Sequence, residues 1–167
     1  MTVNGVEQDA DPPEHVRVVF ELPVDSEGWP PARTERLWAE RVGEDTVRLD
    51  NIPFFVRGFA LGDVVRIVVD DDGVLWAKEA VECSANCTIR IIPAKNGHLE
   101  EEHQAVLDAF APFGVDGEGL SHFGLVALNI PADVDISRVK RLLIQGAASG
   151  RWHYEEGCVT PAWRTAE

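Results

Sequence analysis

The chain has 167 residues, 29 acidic against 15 basic side chains, a net charge of -14 and a hydrophobic content of 45%. That size supports one ordinary domain, or two small halves sharing a core. The charge argues against a nucleic-acid reader, which needs a basic footprint, and no run of about 18 apolar residues is present to cross a membrane.

Residues 1–14 carry four acidic side chains, no basic one and a Pro-Pro step, without periodicity. This composition predicts a disordered acidic tail. With no basic n-region and no apolar h-region it also argues against a secretory signal, so a cytoplasmic location is expected. From His15 the pattern changes, and "HVRVVFELP" alternates Val16, Val18 and Phe20 against Arg17 and Glu21, a strand signature. "RTERLWAERV" fits either a strand or a helical turn, and "GEDTVRLD" reads as a turn and a short strand. The clearest signal is "GDVVRIVVDDDGVLWAKEAVE", two β-rich runs joined across Asp71-Asp72-Gly73. "CTIRIIP" adds another strand, so residues 15–93 form a β-rich half.

After Pro93 the period changes. Leu99, His103, Val106, Leu107 and Phe110 have helical spacing, with three glutamates in the first turn to suit the positive end of the helix dipole. "HFGLVALNIP" is a strand, and "DISRVKRLLIQGAASG" is a second helix with Asp135 as N-cap and Ile136, Val139, Leu142 and Leu143 as its buried face. "DGEGLSHFG" reads as a flexible connection, and "RWHYEEG" as a closing strand. Residues 88–157 are thus expected to form an α/β half that shares the strand around Ile89 with the first, and residues 158–167 a C-terminal tail. The predicted class is α+β. A small N-terminal β-barrel or curled antiparallel sheet packs with a C-terminal βαβαβ α/β sandwich.

"LDNIPFFVRGFALGDVV" raises the main question, because proline at 53 removes a ladder donor and three phenylalanines follow it closely. It reads either as a buried aromatic corner or as a rim in which Asn51, Phe55 and Arg57 contact a ligand or partner. Arg57, alone in an apolar run, must reach solvent, a carboxylate or a ligand. "ECSANCT" is the second candidate. If extended, it places Ser84, Asn86 and Thr88 on one face; otherwise it is a bulge satisfied by its own side chains. Three cysteines, an odd number, fit free thiols in a reducing compartment. An extended Cys83-to-Cys87 segment would hold these two about 13 Å apart, too far to bridge.

Catalytic patterns are weak. Ser121 in "GLSHFG" has Phe123 where a nucleophile elbow has glycine, and its neighbour His122 cannot simply act as its base. His98 and His103 are five apart, unlike the i, i+4 pair of a helical zinc motif, and no phosphate-cradling glycine loop occurs. No catalytic residue, metal or cofactor is therefore assigned. Arg138, Lys140 and Arg141 form the one basic patch.

The segments "HVRVVFELP", "WPP", "ERLWAERV", "LDNIPFF", "GDVV", "DDGVLWAKEAVECSANCTIRII" and "RWHYEEG" together resemble the bacterial family called domain of unknown function 4265, from His15 to about Glu156. The resemblance implies one evolutionary unit and no activity. The leading expectation is an acidic, non-catalytic binding or regulatory protein that recognises another protein, as an immunity-type or antitoxin-like neutraliser would, with Trp29 and Trp163 exposed. The alternative is a small-molecule binder or modest enzyme with a pocket between the halves. Asn51, Phe55, Arg57, Ser84, Asn86 and His122 are the candidate binding residues. A protein partner is expected first and a small molecule second, with no nucleic acid and no membrane.

Overall fold

The structure, a computed structural model, describes residues 12–95 and 98–167. Most of the expected acidic tail lies outside these residues. The class is α+β, with two mainly antiparallel sheets and three α-helices among the described residues.

Five strands form the first sheet: β1 (His15–Glu21), β2 (Thr34–Arg41), β3 (Thr46–Leu49), β4 (Val64–Val69) and β5 (Leu75–Glu82). Each pairs antiparallel with the next, and β1 meets β5 in parallel at Val18↔Leu75 and Val19↔Trp76, so the strands run in a closed ring. "RTERLWAERV" resolves as strand because its alternation places Glu35, Leu37 and Ala39 inside and Arg36 and Trp38 outside. Val18, Phe20, Leu37, Val47, Leu49, Val65 and Ile67 fill the ring. The β4–β5 turn falls on Asp71-Asp72-Gly73. Asp70 ties it by accepting from the backbone N–H of Asp72 and Val74 and from Trp76 Nε1 at 2.9 Å. These donors, the indole first, hold the Asp70 carboxyl below its ordinary range.

The second sheet contains β6 (Cys87–Pro93), β7 (Asp116–Leu120), β8 (Leu125–Ile130) and β9 (Trp152–Cys158), in the order β7-β8-β6-β9. Helix α1 (Leu99–Phe110) links β6 to β7, and α2 (Ile136–Ala148) links β8 to β9. The expected βαβαβ run is therefore corrected to βαββαβ, the split arrangement of ferredoxin-like sheets. The missed strand is β7, in the stretch expected to be a flexible connection. Its two glycines hid it, because Gly117 and Gly119 present no side chain to show alternation. They are there for clearance: a Cβ at Gly119 would lie 2.5 Å from His103 of α1. Among the described residues the strand around Ile89 is likewise not shared between the sheets, since β6 pairs with β8 and β9.

One face of this sheet, with Ile89, Ile91, Val126, Leu128 and Ile130, packs on Val106 and Phe110 of α1 and Val139 and Leu143 of α2. Asp135 caps α2 by accepting from Arg138 N–H, as its spacing predicts. Trp163 corrects the picture of the terminus. It is 0% exposed, on α3 (Pro161–Thr165), with its Nε1 donating to Glu156 at 2.9 Å. Lys140 Nζ donates to the carbonyls of Trp163 and Ala166, so the basic patch is partly spent holding this segment down. In α2, Gly146 admits Trp152, and a Cβ there would lie 2.0 Å from the indole. Gly146→Ala is expected to lose about 1–3 kcal/mol in urea unfolding although alanine favours the helix by about 1 kcal/mol, because the overpacked ring belongs to the core.

Candidate functional site

The other face of the second sheet meets the ring through the loop that connects β3 to β4, residues 50–63. Glu35 on β2, nearly buried, accepts from three successive backbone N–H groups of that loop: Phe54 at 2.6 Å, Phe55 at 3.0 Å and Val56 at 2.8 Å. From the opposite side Arg90 on β6, with its side chain fully buried, donates from Nη1 to the Val56 carbonyl at 3.0 Å and from Nε to Glu155 at 2.6 Å. One sheet therefore holds the loop by its donors and the other by its acceptors. A Cβ at Gly157 would lie 2.8 Å from the Arg90 guanidinium, so only glycine lets the arginine reach across. Arg90 Nη2 has no partner among the described residues.

Further bonds tie the rest of the loop. Gly58 N–H donates to the Gly157 carbonyl, and Thr88 Oγ1 donates to that of Phe59. Buried Asp63 accepts from the N–H groups of Ala60 and Ser84, while Asn86 Nδ2 donates to the Leu61 carbonyl. With these backbone groups bonded to both sheets, the loop can present aromatic rings from a fixed platform.

Trp29, Phe55 and Phe123 form an edge-to-face run, with centroids 5.7 and 5.6 Å apart. Its two ends are open, Trp29 being 37% and Phe123 44% exposed. Three hollows surround it. One of about 470 Å³ is lined by Glu21, Asp25, Trp29, Phe55 and Arg57 among others. A second of about 310 Å³ has Glu35, Leu37, Asn51, Phe54, Phe55 and Glu118 in its wall. A third of about 240 Å³ lies between Trp29, Arg90, Leu125, Tyr154 and Glu155.

The six residues singled out from the sequence divide. Asn51, Phe55 and Arg57 line these hollows, with Asn51 Oδ1 accepting from Trp38 N–H at 2.7 Å and exposed Arg57 paired to Glu155 at 2.8 Å. Ser84 and Asn86 do not. They sit in a bend with Ala85 at a positive φ of 67°, where Ser84 Oγ accepts from Asn86 N–H, and both serve the loop of residues 50–63. His122 is exposed in the β7–β8 turn beside Phe123. Sequence reasoning missed Trp29's contact with Phe55, and it missed Glu35, Arg90 and Glu155. The last three stand out only once strand register is known.

The cysteines are free: Cys83 is exposed, Cys87 buried and Cys158 half-buried. Burial, reinforced by the negative charge of Asp63, pushes the Cys158 thiol up to about 11. A thiol reagent at pH 8 is expected to label one site rapidly in the native protein and all three after denaturation. A Cys83→Ser variant that still labels rapidly would refute this. Among the described residues no helix is long and apolar enough to cross a membrane.

The family described as Domain of unknown function (DUF4265) matches residues 35–154. The chain belongs to this family. The matched segment of the DUF4265 domain runs from Glu35 to Tyr154, so it takes in Phe55, Arg90 and Phe123 but not Trp29. A similar solved structure is that of a hypothetical protein from Neisseria gonorrhoeae, with a TM-score of 0.71 at 20% identity, covering 87% of this chain and 96% of that one. At that identity the likeness extends to the fold alone. Comparison with curated proteins gives no match.

Proposed function

We propose that this DUF4265 protein is a non-catalytic binding protein that recognises another protein through the seam around Trp29, Phe55 and Phe123. The observation that carries this reading is the aromatic run, open at both ends and standing on a loop held by both sheets. Large rigid aromatic groups on a fixed base are the usual anchors of protein interfaces. Glu21, Asp25 and Glu118 border the hollows, and the net charge of -14 favours a partner with a basic surface. An immunity-type or antitoxin-like neutraliser has this character. In this reading the ring is a small barrel whose mouth is stopped by the loop of residues 50–63.

The test is retention of proteins from native lysate at low and high salt on wild type and on a Trp29→Ala/Phe123→Ser double variant. A partner lost both from the variant and at high salt, with amide-exchange protection of residues 25–30, 54–58 and 121–124 in the complex, is the expected outcome. A partner retained equally by the variant would remove the seam from the interface. The size of the 470 Å³ hollow favours a second reading, since small-molecule pockets span about 300–1,000 Å³. A thermal-shift screen in which hits vanish on Phe55→Ala would select it.

A further inference from the structure

Away from the aromatic run, three side chains distant in sequence meet on the outside of the ring. His15 Nε2 lies 3.2 Å from Glu40 Oε1 and 3.8 Å from Asp50 Oδ2, and the three potential ligand atoms all fall within 4.8 Å of one another. Among the described residues this is the one His, Cys, Asp and Glu group so arranged. We propose that His15, Glu40 and Asp50 form a surface site for a divalent transition ion, zinc being the best match to the donors.

The placement is set by the backbone. His15 and Glu40 are directly opposed in the β1–β2 ladder. Asp50 follows the Ala39↔Leu49 pair at the end of β3, where its N–H donates to the Trp38 carbonyl at 2.9 Å. Each ligand thus comes from a different segment of a hydrogen-bonded sheet, and the approach of one imidazole to two carboxylates is built into the register.

The spacing also suits the ion. Ligand atoms about 2.0–2.1 Å from a tetrahedral zinc stand about 3.3 Å from one another; His15 to Glu40, at 3.2 Å, already meets that, and Asp50, at 3.8 Å, needs only a small side-chain shift. One imidazole nitrogen with two carboxylate oxygens is a donor set for zinc and neighbouring first-row ions, whereas calcium and magnesium prefer all-oxygen shells. Arg48 is the cross-strand neighbour of Glu40, yet Glu40 pairs with His15 and makes no ion pair with Arg48. Three protein ligands on an exposed face leave the remaining positions to water or to a ligand from another molecule.

The experiment is calorimetric titration of tag-free protein, stripped with a chelator, with zinc chloride in a Cys83→Ser background that removes the exposed thiol. One equivalent is expected to bind, with a shift of the His15 Nε2 resonance in nitrogen-15 spectra. His15→Ala and Asp50→Asn should each weaken binding at least about tenfold, while His153→Ala leaves it unchanged. All three positions are exposed or half-exposed, and circular dichroism checks that the variants fold. Absence of saturable binding up to millimolar zinc, or His15→Ala binding like the parent, would overturn the proposal.

Discussion

Glu35→Ala is expected to lower the unfolding free energy by about 3–5 kcal/mol, because it orphans three backbone donors at once, each costing about 1–3 kcal/mol when poorly solvated. Domains of this kind are stable by only about 5–15 kcal/mol, so the variant should sit near the edge of folding. Glu35→Gln keeps one acceptor oxygen but turns an amide N–H toward a cluster of N–H groups, and is expected to lose about 2 kcal/mol. Urea unfolding measures both, and the order wild type, glutamine, alanine is the result that matters. A loss under 1 kcal/mol for alanine would mean that water replaces the carboxylate and that the loop of residues 50–63 is not held as described.

The second large effect is at Arg90. Arg90→Ala is expected to lose about 3–4 kcal/mol, from the void under Gly157 and from the Val56 carbonyl left without its donor. Arg90→Met separates these contributions. It restores most of the volume without the charge, and Glu155 is one-third exposed and keeps Arg57, so the loss should fall to about 1–2 kcal/mol. If methionine is as damaging as alanine, the hydrogen bond outweighs the packing. Because Glu35 holds the N–H and Arg90 the carbonyl of the same residue, Val56, the double alanine variant should be less damaging than the sum by about 1–2 kcal/mol.

Much of the fold was legible because it rests on local periodicity. The alternation of β1, the turn at Asp71-Asp72-Gly73, the stripe of α1 and the Asp135 cap all act within a few residues. What failed depended on partners far away. β7 lacks side chains at the positions where α1 and β8 press closest, so its pattern is silent without them. Trp163 belongs to the core because α2 and Glu156 wait for it, which residues 158–167 alone do not announce.

The seam is intermediate. Asn51, Phe55 and Arg57 drew notice because "LDNIPFFVRG" breaks the surrounding pattern, and they line the hollows beside the aromatic run. Glu35 and Arg90 carried a usable signal, as each is a charge at an inward position of a strand, but it could be read only after "RTERLWAERV" was known to be a strand and the second sheet to be covered on both faces. Ser84 and Asn86 looked like a binding face in an extended segment, and the left-handed turn at Ala85 directs them to the backbone instead.

The grip on residues 50–63 also bears on the order in which the molecule can assemble. Gly58 bonds to Gly157, and Arg57 pairs with Glu155, partners about a hundred positions later in the chain. During synthesis the ring strands can find one another early, but Gly58 and Arg57 have no Gly157 or Glu155 to bond until β9 exists. At a translation rate of about 5–20 residues per second the gap lasts several seconds. For that interval the loop of residues 50–63 lacks its second set of anchors, and the window for chaperone capture or mispairing is set by ribosome speed.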